Sequence, residues 1–454
     1  MVWRPILLSS LLAAPLLAVQ PLHVSERNPR YFSDGAGVVY LTGAHTWNTI
    51  ADMSPSEAPA AFDFTAFLDW VTGYGHNFTR LWTWELTIWD TSGNNPRNRT
   101  RVQQLTVAPL PWRRTGPAKA LDGKLKFDLT RYDPNYFDRL RKRASEAGER
   151  GVYVSVMLFE GWGLQRIKGA WEYHPMNPAN NVNGIDGDAN GDGIGVEVHE
   201  LVNPKVTSIQ EAYVRKTIDT LNDLDNVLYE ISNENHPAST AWQYHMIRFI
   251  HDYERTKPKQ HPVGMTFQFK GGSNRALFES PAEWISPNPE GGYRDNPPPA
   301  TGKKVILSDT DHLWGIGGNV NWVWKSFTRG LNPLFMDPYR GVVLSGRSSI
   351  PFDAIRRAMG QTRKLAERID LAEMEPRDEI ASSGYCLAKP GGEYVVYLPG
   401  GGTVSVVLPP GQYRSEWIDP VHGEPRPGPE ISGGGRRLLT APGGGAAVLY
   451  LKKR

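Results

Sequence analysis

What most restricts the fold of this chain is an alternation. From Val38 to Met336, short runs of β-branched and apolar residues are separated by stretches with helical spacing. Parallel strands need a crossover long enough to hold a helix, so this pattern indicates βα units around a parallel sheet. The runs predict strands at residues 38–42, 78–82, 152–158, 227–231, 263–267, 284–286, 304–307 and 334–336. Eight is the number at which such a sheet closes into a barrel filled by its own side chains. Helices are predicted over 135–147, after Asp133-Pro134, and over 208–221, opened by a serine cap. An open doubly wound sheet would carry a Gly-x-Gly-x-x-Gly turn after its first strand, and none is present there. The expected fold is a (β/α)8 TIM barrel over residues 21–372.

Near Glu375-Pro376 the texture changes to short strands, at 394–398, 404–408, 413–418 and 446–451, separated by turns such as Pro399-Gly-Gly-Gly402 and Pro409-Pro-Gly411. These predict a small all-β sandwich over 373–454. At the other end, Arg4 precedes an apolar run from Ile6 to Leu17, which reads as a signal peptide over 1–20 and predicts secretion, extracellular or periplasmic. The run is shorter than the roughly 20 residues of a membrane span. Lacking a clean small-x-small cleavage site, it leaves an uncleaved anchor as the alternative. Net charge is +2, from 50 basic and 48 acidic residues, which argues against nucleic acid or an anionic membrane as partner. The 15 Trp and 18 Tyr supply flat apolar rings of the kind on which sugar faces stack. A single cysteine, Cys386, excludes an internal disulfide.

In a parallel barrel, chemistry gathers where strands end at the carboxyl face. The predicted exits carry His45, Trp47 and Asn48, then Arg80, Trp82, Trp84 and Glu85, then Glu160 and Trp162, then Asn233, Glu234 and His236. The seventh brings Asp309, Asp311 and His312, and the eighth Asp337 and Tyr339. Glycosidic cleavage requires one carboxylic acid to protonate the leaving oxygen and a second carboxylate to attack or to activate water. Strands four and seven can supply that pair. An Asn-Glu pair after an apolar strand is also what a helix N-cap with a first-turn acid looks like.

Asn77-Phe-Thr-Arg80 and Ser232-Asn-Glu-Asn235 resemble the clan A glycoside hydrolases, especially the cellulase-like and apiosidase-like branches, over roughly residues 30 to 345. The resemblance implies Glu234 as acid/base, Asn233 as partner of the substrate 2-hydroxyl, and a nucleophile on strand seven. The usual glutamate of that strand is absent, and Val305-Ile-Leu-Ser-Asp-Thr-Asp-His312 offers Asp309 and Asp311 instead. Aligning the apolar strand favours Asp309, while alternation lets Asp311 point the same way. Substrate contacts are expected from Trp47, Trp82, Trp84, Trp162 and Trp314 as sugar platforms or core, and from Glu85, Asn233 and His312. His45, Arg80 and His174 either position substrate or satisfy buried carboxylates. The expected activity is retaining hydrolysis of an oligo- or polysaccharide. A glycan-binding barrel without catalysis, an inverting hydrolase and a calcium-dependent lyase are the alternatives.

Asp186-Gly-Asp-Ala-Asn-Gly-Asp-Gly-Ile-Gly-Val-Glu197 matches the calcium-loop pattern D-x-[DN]-x-[DN]-G-x5-E without a mismatch. Its expected ligands are Asp186, Asp188, Asn190 and Glu197, with Asp192 lending its backbone carbonyl. Flanking segments lack the helices of a paired sensor, so a structural Ca2+ ion is expected. An acidic Asx-turn loop without metal is the alternative. The glycosylation sequons at Asn77 and Asn98 are common by chance and are assigned no role.

Overall fold

The computed structural model describes residues 20–90, 104–341 and 351–454. The leader up to residue 19 and the Asn98 sequon lie outside the described residues. Eight parallel strands form the central sheet: β1 (Gly43–His45), β2 (Phe78–Leu81), β3 (Tyr153–Glu160), β4 (Val227–Asn233), β5 (Val263–Thr266), β6 (Trp284–Ser286), β7 (Val305–Asp309) and β8 (Asn332–Met336). From β2 onward each pairs with the next in sequence, and β8 pairs with β1, leaving β1 and β2 on either side of one seam. Apart from Tyr153 at the start of β3, every strand residue is buried, as expected for strands covered on both faces.

The seam is closed by Asn77. Its backbone N–H donates to Thr42 O at 3.0 Å, its Oδ1 accepts from Thr42 N at 3.0 Å, and its Nδ2 donates to Tyr40 O at 2.9 Å. The chains approach so closely that a Cβ on Gly43 would lie 1.8 Å from the Phe78 carbonyl oxygen. This accounts for the misplaced first strand. Val38–Val39 instead joins His23–Val24 and Phe32–Ser33 in a small antiparallel sheet. From that segment Leu22, Phe32 and Leu41 pack on Phe78, Trp284 and Val305 at the amino end of the barrel.

Helices follow most strands, and their starts are set by local caps. Asp63 caps Phe64–Gly73, Asp133 caps Pro134–Glu149 and Asn203 caps Pro204–Leu221. Proline at the first helical turn has no N–H to satisfy, so the last of these begins at Pro204 and not at Ser208. After β6 there is only a short 3-10 turn, Glu290–Gly292. Between β2 and its helix the described residues form four antiparallel strands outside the predicted set: Ile88–Asp90, Gln104–Ala108, Trp112–Lys119 and Leu125–Tyr132.

After the last helix, Asp353–Ala366, the chain forms a larger antiparallel sheet and a two-stranded sheet, Thr403–Leu408 with Gly435–Thr440. The two enclose a core that includes Tyr394, Val406, Tyr413, Trp417 and Leu449. This unit leans on the barrel helix Val320–Thr328, where Trp324 stacks on Tyr397 and donates its indole N–H to Pro420 O at 2.8 Å.

Candidate active site

A cavity of about 540 Å³ opens at the carboxyl ends of the barrel strands. Its walls bring together seven of the predicted substrate contacts, Trp47, Trp82, Trp84, Trp162, Asn233, His312 and Trp314, with Glu234 and Asp311. A larger hollow of about 810 Å³ lies at the amino end, by Tyr40, Asn77, Val152 and Arg363. The smaller one is the candidate because only there do buried carboxyls with displaced acidities face open space.

Arg80 organises the floor. Its guanidinium donates to Glu230 at 2.6 and 3.0 Å, to Asn233 Oδ1 at 2.8 Å, to Asp311 Oδ2 at 3.1 Å and to Asp309 Oδ2 at 3.3 Å, while lying over the Trp82 ring at 4.5 Å. One buried cation thus serves three carboxyls. Asp309 lies deepest: His45 Nε2 is 2.9 Å from its Oδ2, and its Oδ1 accepts the Asp311 N–H at 2.9 Å. It is the N-cap of the short helix Thr310–Leu313. Burial would raise its pKa, but His45 and Arg80 outweigh that and hold it well below the usual carboxylate range. With both oxygens occupied, Asp309 does not line the cavity, contrary to the strand-register expectation. The chain turns helical after Asp309, and Asp311, in the first turn of that helix, comes to the wall.

Burial, with Asp309 nearby, lifts Asp311 to about 6 in spite of Arg80. Glu234 follows β4 with φ +48°, a left-handed conformation that is rare and strained outside glycine. Its carbonyl accepts from Gln165 Nε2 at 2.8 Å. Among the described residues no donor reaches its carboxyl, and burial, reinforced by Asp311 and Glu160, pushes its pKa well above the ordinary carboxyl value against the pull of Arg80. Asn233 Oδ1 accepts from Arg80 and lies 3.2 Å from His312 Nε2, whose other ring nitrogen is 2.7 Å from Ser286 Oγ. The Asn233 Nδ2 is therefore left as the donor available to a ligand. The buried indole N–H groups of Trp47 and Trp82 also lack partners among the described residues.

By structure, the chain resembles a glycoside hydrolase family 5 protein from Bacteroides vulgatus, with TM-score 0.62 and 12% identity over 95% of this chain and 94% of that one. A second solved structure, described as a glycoside hydrolase, matches with TM-score 0.60 and 12% identity over 96% and 97%. The chain shares the barrel fold of these two structures. Both likenesses span the barrel and the terminal β-sheets together. By sequence, a family model described as a domain of unknown function, DUF6298, matches residues 87–269. No curated protein matches by sequence.

Within this barrel, four predicted substrate residues stay behind the wall. His45 serves Asp309, and Arg80 serves the carboxyl cluster. Glu85 lies 2.9 Å from His199 Nε2 and 3.5 Å from His174 Nε2, and despite burial these histidines pull it down to about 2. His174 is held in turn by the Met176 N–H on its Nδ1. The structure adds Glu160, which faces the cavity from β3 and accepts the N–H groups of Trp162 and Gly163 at 2.8 and 3.1 Å. Burial raises it to about 8, with Glu85 and Asp311 adding to the effect. Its place at a strand exit was legible, but not the turn of its carboxyl into the cavity. Trp89, Phe267 and Phe269 also line the site, and Trp89 stacks on half-buried Trp162 at 5.5 Å.

In the loop 186–197, Asp188, Asp192 and Glu197 present carboxylate oxygens within 4.8 Å of one another. Asp188 Oδ2 accepts from Gly193 N at 2.8 Å, and Asp186 Oδ1 accepts from Asp188 N at 3.1 Å. Asn190 lies against Glu197 Oε1 at 2.5 Å. Asp188 and Glu197 are gathered as the spacing predicts, and Asp192 joins them through its carboxylate and not its carbonyl, whereas Asp186 lies outside this group and Asn190 turns its amide nitrogen to Glu197.

Proposed function

We propose that the chain is a retaining glycoside hydrolase in which Asp311 is the nucleophile and Glu234 the acid/base. One observation carries this reading. In a single aromatic cavity, one carboxyl is bonded by a permanent cation and the other has no donor, so Arg80 opposes the protonation of Asp311 that burial favours, whereas nothing bonded to Glu234 opposes its protonation. Asp311 attacks the anomeric carbon while Glu234 gives its proton to the leaving oxygen. Glu234 then takes a proton from the water that displaces Asp311 from the sugar. Asn233 Nδ2 and the free indole N–H groups supply donors to sugar hydroxyls, and Trp162 supplies a stacking face. The near-neutral net charge fits an uncharged oligo- or polysaccharide. The apolar leader supports export. Among the described residues no helix is long and apolar enough to cross a membrane.

The test is a panel of polysaccharides, with product stereochemistry followed by NMR. Glu234→Gln should abolish turnover and preserve binding. An active Glu234→Gln enzyme would overturn the assignment, inverted product would replace Asp311 as nucleophile by Asp311 as base, and binding without turnover in the wild type would indicate a lectin-like barrel.

A further inference from the structure

We propose that the loop 186–197 holds a calcium ion and that this ion braces one wall of the cleft through His199 and Glu200. The site rests on two observations. The first is the cluster of carboxylate oxygens at liganding spacing. The second is Glu197, only 9% exposed, whose Oε2 has no hydrogen-bond partner among the described residues although it lies beside two further acids. A buried carboxylate oxygen among like charges is costly unless a cation or a donor meets it. The donors are all oxygen, which selects a hard cation. Carboxylates supplied by one twelve-residue loop suit calcium better than magnesium, which demands tight octahedral geometry.

The loop is not free to drift. A Cβ on Gly187 would lie 2.3 Å from Val198 Cγ1, and one on Gly195 would lie 2.2 Å from the Trp171 ring. Its last ligand lies in the 3-10 turn Val196–His199. Two residues on, His199 Nε2 is 2.9 Å from Glu85 Oε2, and that same oxygen accepts the Glu160 N–H at 2.8 Å. The next residue, Glu200, places Oε1 2.8 Å from Nε2 of His236, two residues after Glu234. Within three residues of its closing ligand, then, the loop grips the exits of both β3 and β4. An ion that fixes Glu197 fixes the anchor of both.

This inference concerns binding and rigidity, and its readouts do not depend on which reaction the cleft performs. Calorimetric titration of the metal-stripped full chain with calcium chloride should show one ion bound, and calcium should raise the melting temperature by mass action while equal magnesium raises it little. Glu197→Gln, which removes a charge and leaves the loop otherwise intact, should weaken calcium binding on the order of 100-fold. Asp188→Asn is the second variant should Glu197→Gln not fold. Hydrogen exchange should slow on calcium addition in peptides covering 186–200 and also in those covering 157–166 and 233–239, with no change at 393–398. No calcium heat together with a melting temperature unmoved by calcium or chelator would overturn the site. Protection confined to 186–200 would overturn the brace.

Discussion

Gly43→Ala tests the closure of the barrel. The residue's φ lies outside the left-handed region, so alanine meets no backbone penalty there. The whole effect comes from a methyl group placed 1.8 Å from Phe78 O. A carbon normally stays about 3.3 Å from a carbonyl oxygen, so β1 and β2 must separate by about 1.5 Å. That displacement breaks the two 3.0 Å bonds joining Thr42 and Asn77. Leaving buried backbone groups unpaired costs about 1–3 kcal/mol each, and the strain of forced repacking adds about 1–3 kcal/mol. A loss of about 4 kcal/mol is therefore expected, read as a lowered urea midpoint followed by tryptophan fluorescence. The control is Gly37→Ala, where an added Cβ meets nothing within 4 Å, and its midpoint should stay within about 0.5 kcal/mol of wild type. Because β1 carries His45 towards Asp309, the opened seam should also lower activity in whatever fraction remains folded. Equal midpoints for Gly43→Ala and wild type would refute the account of a seam closed at contact distance.

The two aspartates should separate cleanly. Asp309→Asn removes a buried partner of His45 and Arg80 and should cost about 3 kcal/mol in stability, whereas Asp311→Asn should leave the melting temperature near wild type and lower kcat by a factor on the order of 10³ or more. The pH–rate profile should rise through an acid limb near 6, where Asp311 loses its proton, and fall on an alkaline limb displaced above the ordinary carboxyl range by Glu234. Fold stability should run in the opposite sense to that acid limb. Glu160, Glu234 and Asp311 hold protons more tightly folded than unfolded, so the stability they contribute is full below about pH 4 and is lost as pH rises through their raised folded values, about 6 for Asp311 and about 8 for Glu160. Melting at about pH 5 should therefore exceed melting at about pH 8.5, and Glu160→Gln, which keeps an oxygen for the Trp162 and Gly163 N–H groups, should reduce that difference. A pH dependence unchanged in this variant would remove Glu160 from the account.

Seven of the eight barrel strands announce themselves through apolar runs, because a strand covered on both faces has little else to be made of. The eighth, β1, is Gly43-Ala-His45. Its identity lies in a contact with Phe78 that no local pattern encodes. Glu234 and the aromatic lining were legible because strand exits are legible. The choice between Asp309 and Asp311 was not, since it depends on the chain turning helical one residue after the strand, through a cap whose acceptor is Asp309 itself. Glu85, His174 and His45 share the same difficulty. Polar residues near an exit read alike whether they face the substrate or hold up those that do, and only the burial of their partners tells them apart.

The left-handed backbone at Glu234 bears on how this protein would respond to selection. A glycine or asparagine there would relieve about 1–2 kcal/mol of strain and would also remove a buried carboxyl that no donor compensates. Random libraries screened for heat resistance alone should therefore enrich substitutions at this one position early, and each such winner would be a sturdier protein without an acid. Thermostabilisation of this scaffold calls for a screen that rewards turnover at every round, with codon 234 held fixed.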